Sequence, residues 1–240
     1  MRLDLALVDR GLARSRSHAR QLLDTGRVRV AGVSPVKPAT PVDATTVIDV
    51  RADPYVSRGA HKLLHALDDS GLDVAGRVLD AGASTGGFTQ VLLERGATTV
   101  YAVDVGHGQL AAGLRDDPRV VVEEGVNLRG LTLDHVGGAA VELVVADVAF
   151  ISLTLLVAPL AAVLRPGGAA LLLVKPQFEV GRGELDSHGV VRDDTARHRV
   201  ADEVASIART VGWHEVWRGD CAVTGEHGNR EVFCLFRAAA

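Results

Sequence analysis

The chain is poor in cysteine, lysine and aromatic rings. Its 240 residues include two cysteines, Cys221 and Cys234, and 4% aromatic side chains. Neither cysteine sits in a Cys-x-x-Cys pair or a metal-ligand cluster. Two such thiols exclude a disulfide framework and point to a reducing compartment, the cytoplasm. The histidines show no ligand spacing with acids or cysteines, so no metal is expected. A long apolar run is also missing. The longest, Val148 to Leu164, is interrupted by Ser152, Thr154 and Pro159 and preceded by Asp147. It reads as a strand end, a turn and a buried helix, which argues against stable membrane association. The opening Met1-Arg2-Leu3-Asp4 brings an acid early and no apolar stretch, so no signal peptide is expected.

Hydrophobic residues make up 47% of the chain, enough for one core of ordinary size and a small appendage. The net charge is −4, but it is unevenly spread: residues 1–60 hold ten Arg and Lys against six Asp. A front end of +4 is thus joined to a remainder of −8, and a basic module of this kind suits a polyanion. Its candidate phosphate contacts are Arg14, Arg16, Arg20, Arg27 and Arg29.

Residues 1–50 read as a compact helix-helix-strand unit. Gly11 fits the end of a first helix, Ser15 or Ser17 fits the start of a second, and Arg27 to Val30 alternates like a strand. Residues 51–56, with Pro54, form a linker. From 57 to 240 strands and helices alternate. Strands are expected at 77–81, 99–104, 119–123, 142–147, 169–175, 213–218 and 231–237, and helices at 59–71, 87–95, 108–115, 152–164 and 194–211. That rhythm predicts an α/β Rossmann-like sheet of seven strands, mostly parallel, with the last two forming an antiparallel edge.

The clearest motif is Asp80-Ala81-Gly82-Ala83-Ser84-Thr85-Gly86-Gly87-Phe88-Thr89, where a short apolar strand enters a glycine-rich turn and then a helix. Asp104 ends the next strand, 22 residues after Gly82, where a carboxylate can receive ribose hydroxyls. The spacing is not Gly-x-Gly-x-x-Gly, and an acid sits in the turn. That suits a cofactor with a cationic amino-acid part, S-adenosylmethionine, better than a diphosphate. A nicotinamide-dependent dehydrogenase is the rival reading.

The chain has three lysines, Lys37, Lys62 and Lys175, against 23 arginines. An amine can lose its proton where a guanidinium does not. Lys175 closes an apolar strand at the end where open α/β sheets form their ligand crevice. Asp147 closes another, though it also fits a helix N-cap, and Glu231 opens the final strand, where an edge-strand charge is equally ordinary.

Five blocks in order resemble one family: Ser57-Arg58-Gly59-Ala60-His61-Lys62-Leu63, the Asp80–Thr89 turn, Asp147-Val148-Ala149-Phe150-Ile151-Ser152-Leu153, Lys175-Pro176-Gln177-Phe178-Glu179 and Gly228-Asn229-Arg230-Glu231. They resemble the TlyA family, also labelled haemolysin A, with an FtsJ-like catalytic domain. The first fifty residues resemble the RNA-binding domain of ribosomal protein S-four type. The resemblance implies a class I methyltransferase fold and transfer of a methyl group to a ribose 2′-hydroxyl of ribosomal RNA, on cytidines of 16S and in some members 23S rRNA. Its partners would be ribosomal RNA or ribosomal subunits. It also implies a catalytic tetrad of Lys62, Asp147, Lys175 and Glu231. Cofactor contacts would come from Asp80, Gly82, Ser84, Thr85, Gly86, Gly87, Phe88, Asp104 and Asp147, and a further RNA contact from Arg58. Two departures stand out. Asp186-Ser187-His188-Gly189 replaces a glycine-lysine-glycine stretch, and Ala149 stands where serine is common. Alternatives are a membrane-active haemolysin and a methyltransferase acting on something other than RNA.

Overall fold

The computed structural model describes residues 1–13, 15–24, 26–225 and 228–240, without the side chains of Gln21 and Arg182. The chain divides into two compact units, Met1–Pro54 and Tyr55–Ala240.

In the first unit, helix α1 (Leu3–Asp9) buries Leu3, Ala6 and Leu7, and α2 (Arg16–Asp24) buries Ala19, Leu22 and Leu23. These three- and four-residue spacings give each helix one apolar stripe, and the stripes meet over Val28 and Val42. Ser15 is the residue that caps α2: its Oγ accepts from the His18 N–H at 3.1 Å. Strand β1 (Val28–Val30) pairs antiparallel with β2 (Ile48–Val50).

The second unit is a seven-stranded sheet. Its strands are β3 (Gly76–Ala81), β4 (Ala97–Asp104), β5 (Val120–Glu124), β6 (Val141–Ala146), β7 (Leu164–Val174), β8 (Trp213–Asp220) and β9 (Val232–Ala238), in the order β5-β4-β3-β6-β7-β9-β8. Strand β7 shows why the sheet needs two covers. From Ala169 to Val174 every side chain is buried, alternate residues joining opposite cores. Leu171 and Leu173 face α3 (Arg58–Ser70) and α4 (Gly87–Glu94), while Leu172 and Val174 face α6 (Val157–Val163) and α8 (Asp194–Thr210). The order reverses between β3 and β6, so the C-terminal ends of β3, β4, β6 and β7 open one crevice.

The expected antiparallel pair closes the sheet, with β9 between β7 and β8 so that β8 is the edge. Two local expectations change. The helix expected at 108–115 is confined to α5 (Ala112–Arg115), because Gly108 takes φ +65°, outside the helical region. The helix expected at 152–164 becomes a 3-10 turn, Leu153–Leu155, followed by α6. Pro159 is accommodated as the third residue of α6, within the first turn, where the missing N–H has no intrahelical acceptor to lose.

Candidate active site

The β3–α4 turn is shaped by close backbone approach. Gly82 has φ +87°, and a Cβ there would sit 2.7 Å from the Asp147 carbonyl oxygen. A Cβ on Gly87 would meet the Ala60 nitrogen at 2.9 Å, so glycine lets α4 lie directly against the start of α3. Asp80 lies beneath the turn, fully buried. Its Oδ2 accepts from the Thr89 hydroxyl at 2.6 Å, and Oδ1 has no hydrogen-bond partner among the described residues. Burial raises this carboxyl to about 7, against the opposing Thr89 hydrogen bond. The structure therefore puts Asp80 under the turn, whereas Gly82, Ser84 and Asp104 face the crevice.

Asp104 braces the other side. Its Oδ2 accepts from the Ser84 N–H at 2.8 Å and its Oδ1 from the Gly106 N–H at 2.7 Å. These bonds hold Ser84 at φ +47° and fix the carboxylate at the lip of a cavity of about 500 Å³. Val105, Val126, Leu128 and Ile151 give that cavity apolar walls, and Gln109 and Asn127 add polar groups.

A second cavity, about 340 Å³, adjoins the first, and Gly82, Ser84, Asp147 and Ala149 line both. Its cationic side is formed by Arg58, Lys62 and Lys175, with Thr85, Gly87 and Phe88 on the wall. Here the structure gathers the four residues of the expected tetrad as two ion pairs. Lys175 Nζ lies 2.5 Å from Asp147 Oδ1, a close contact too bent to be a hydrogen bond. Lys62 Nζ donates to Glu231 Oε2 at 2.5 Å, and Glu231 is 2% exposed behind it. Burial pulls the Lys62 ammonium down, but the charges of Asp147 and Glu231 outweigh it and hold Lys62 above the ordinary lysine range.

Sequence reasoning missed Phe150. It stands 91% exposed beside the first cavity, at φ +64°, an outlier for a bulky side chain. Its ring lies 5.1 Å from that of Phe178, which in turn lies 5.9 Å from Lys175 Nζ. Aromatic scarcity was the available signal: the sequence has five phenylalanines, and three, Phe88, Phe150 and Phe178, fall in successive motifs.

In the first unit, Arg16 and Arg20 share one face of α2, four residues apart, and Arg29 is exposed on β1. Arg16 also donates to the buried Asp4 at 3.1 Å. Arg27 is turned inward, donating to Asp53 at 2.6 Å and to the Arg51 carbonyl at 2.7 Å, which leaves it 15% exposed. Arg14 lies outside the described residues.

A mostly parallel sheet with one reversed strand between its last two neighbours, a glycine turn after β3 and an acid ending β4 define a methyltransferase fold. The N-methyltransferase NodS of Bradyrhizobium japonicum, solved with S-adenosylhomocysteine, shares it at TM-score 0.53 and 16% identity, over 78% of this chain and 90% of that one. Residues 55–238 match the FtsJ-like methyltransferase family and residues 1–48 the S4 domain. With these two matches and the relatives that follow, the chain belongs to the TlyA group of FtsJ-like methyltransferases. The 16S/23S rRNA (cytidine-2′-O)-methyltransferase TlyA of Mycobacterium tuberculosis is 51% identical over 98% of this chain and 89% of its own length. A structure from Streptococcus thermophilus labelled a hemolysin aligns at TM-score 0.77 and 36% identity, over 100% of this chain and 88% of that one. Among the described residues, no helix is long and apolar enough to cross a membrane.

Proposed function

We propose that the chain is a cytoplasmic ribosomal RNA methyltransferase that uses S-adenosylmethionine to methylate the 2′-hydroxyl of cytidine. The observation that carries this reading is the pair of lysine–carboxylate contacts, Lys175–Asp147 and Lys62–Glu231, in a cavity sharing one wall with the cofactor-sized cavity under Asp104. The first cavity fits the cofactor in its chemistry. Asp104 offers a carboxylate for ribose hydroxyls, and Val105, Val126 and Leu128 offer an apolar slot. When bound there, S-adenosylmethionine supplies an electrophilic methyl group on a sulfonium.

The chain's own residues then have to orient a poor nucleophile. Asp147 neutralises Lys175, whose ammonium donates a hydrogen bond to the ribose oxygen and aligns it. The same ammonium lowers the cost of charge growing on that oxygen as its proton passes to water and the new O–C bond to the methyl group forms. Glu231 fixes Lys62 from behind, so that two cations rather than one face the acceptor. Arg58 adds a third positive group on the cavity wall, suited to a phosphate. The exposed Phe150 offers a ring face on which a base can stack, the usual means of holding an unstacked RNA nucleotide. In the S4 unit, Arg16, Arg20 and Arg29 serve as phosphate contacts.

The test is Lys175→Ala, assayed for methyl transfer to purified ribosomal subunits with ribose methylation mapped on the RNA. Transfer should fall at least about a hundredfold while S-adenosylmethionine binding persists. Wild-type turnover by the variant would overturn the assignment.

A further inference from the structure

We propose that Glu179 is a positioning residue that clips together the two loops carrying Asp147 and Lys175. The inference rests on the methyltransferase reading above.

Strands β6 and β7 are neighbours, with Ala146 paired to Leu172. The sheet therefore brings their C-terminal ends side by side, but it does not fix the loops beyond them. The β6 loop carries Asp147 and Phe150 into the turn Leu153–Leu155. The β7 loop carries Lys175 into the one-turn helix α7 (Pro176–Glu179), and Glu179 is its last residue. The Glu179 carboxylate crosses the gap. Its Oε2 accepts from the Ser152 hydroxyl at 2.5 Å and its Oε1 from the Leu153 N–H at 2.8 Å. Ser152 is the N-cap of that turn, its Oγ also accepting from the Thr154 N–H at 3.1 Å. One carboxylate thus caps a turn that belongs to the other loop.

The clip closes a ring of contacts. Asp147 touches Lys175, Lys175 lies under Phe178, Phe178 lies against Phe150, and Glu179–Ser152 completes the circuit on the far side. Within it Phe150 holds φ +64° with its ring exposed. Such a conformation persists only where the surroundings over-determine it. The two charge-assisted hydrogen bonds at Ser152 and Leu153, two and three residues downstream, supply that constraint. Without them the Phe150 backbone can relax to an ordinary conformation, and the loop that carries Asp147 shifts against Lys175. Glu179 touches neither reacting group, so its effect must pass through that alignment.

The experiment compares full-length wild type, Glu179→Ala, Glu179→Gln, Ser152→Ala and the Glu179→Ala/Ser152→Ala pair on ribosomal subunits, well below each variant's thermal transition. Glu179→Ala should lower kcat by roughly tenfold or more with KM for S-adenosylmethionine changed far less, because loop misplacement of an ångström is costly to rate. Glu179→Gln should stay within about threefold of wild type, since its amide can accept from Leu153 and donate to Ser152. The double variant should be no worse than Glu179→Ala, as expected when both changes break one linkage. A folded Glu179→Ala with wild-type kcat, or effects of the two single changes that multiply, would overturn the clip. If Glu179→Ala does not fold, Ser152→Ala decides alone: reduced kcat supports the clip and wild-type kcat refutes it. A wild-type protein that leaves ribosomal RNA unmethylated would refute the functional reading instead.

Discussion

Glu231→Gln separates structural from chemical work in the buried Lys62–Glu231 pair. Lys62 Nζ and Glu231 Oε2 are 2.5 Å apart, with 11% and 2% of their side chains exposed. Glutamine keeps the shape and one hydrogen-bond acceptor but removes the charge. Lys62 is then left desolvated, with Asp147 the remaining carboxylate acting on it. Breaking a buried pair from one side costs about 3–5 kcal/mol, and Asp147 places this case toward the lower end, about 3 kcal/mol. For a unit of this size that corresponds to a drop in Tm of roughly 6–12 °C. The assay is thermal unfolding followed by circular dichroism, with urea titration as a check. The double variant Lys62→Met/Glu231→Leu removes both charges and should recover most of the lost stability, because replacing a whole buried pair with apolar groups is often neutral. It should recover no methyl transfer. A Glu231→Gln protein within about 2 °C of wild type would refute the energetic reasoning, since a broken buried pair must show in Tm. A double variant that still transfers methyl groups would refute the chemical role.

Two further outcomes follow from the same geometry. Phe150→Ala should reduce kcat/KM for ribosomal RNA by roughly tenfold, the equivalent of one lost base–aromatic stack, and leave the fold intact because the ring is 91% exposed; filter binding and single-turnover methylation would show it, and unchanged kcat/KM would count against base stacking. Asp80 has a signed pH effect. Its carboxyl is raised from 3.8 to about 7 by burial, so between those values the folded chain holds a proton that the unfolded chain has released. Its contribution to stability is therefore neutral below about pH 4 and increasingly unfavourable as pH rises toward 7. Asp80→Asn should show a Tm that gains on wild type across that window in cofactor-free protein, and parallel Tm–pH curves would contradict the burial argument.

Sequence alone determined the alternation of strands and helices, because burial on one face or two writes itself directly into hydrophobic period. The all-apolar stretch Ala169–Val174 needs covers on both sides, and the stripes of α1 and α2 need one. It also determined where the glycine turn lies, because backbone that must approach Asp147 and Ala60 admits no Cβ. The two rare lysines and two acids were legible as motif residues, but their pairing was not. That Lys175 faces Asp147 follows from the pairing of β6 and β7, and that Lys62 faces Glu231 across 169 positions follows from α3 packing on the sheet against β9. The same is true of β9, whose place between β7 and β8 is set by tertiary packing and not by its distance along the chain. Residues chosen for a ligand by type can also be claimed by the fold. Arg27 went to Asp53 and a carbonyl, while Asp80 gives one oxygen to Thr89 and keeps the other without a partner among the described residues. Local pattern records what each residue must bury; which charges meet, and which remain open to a partner, is decided only when the strands are laid side by side.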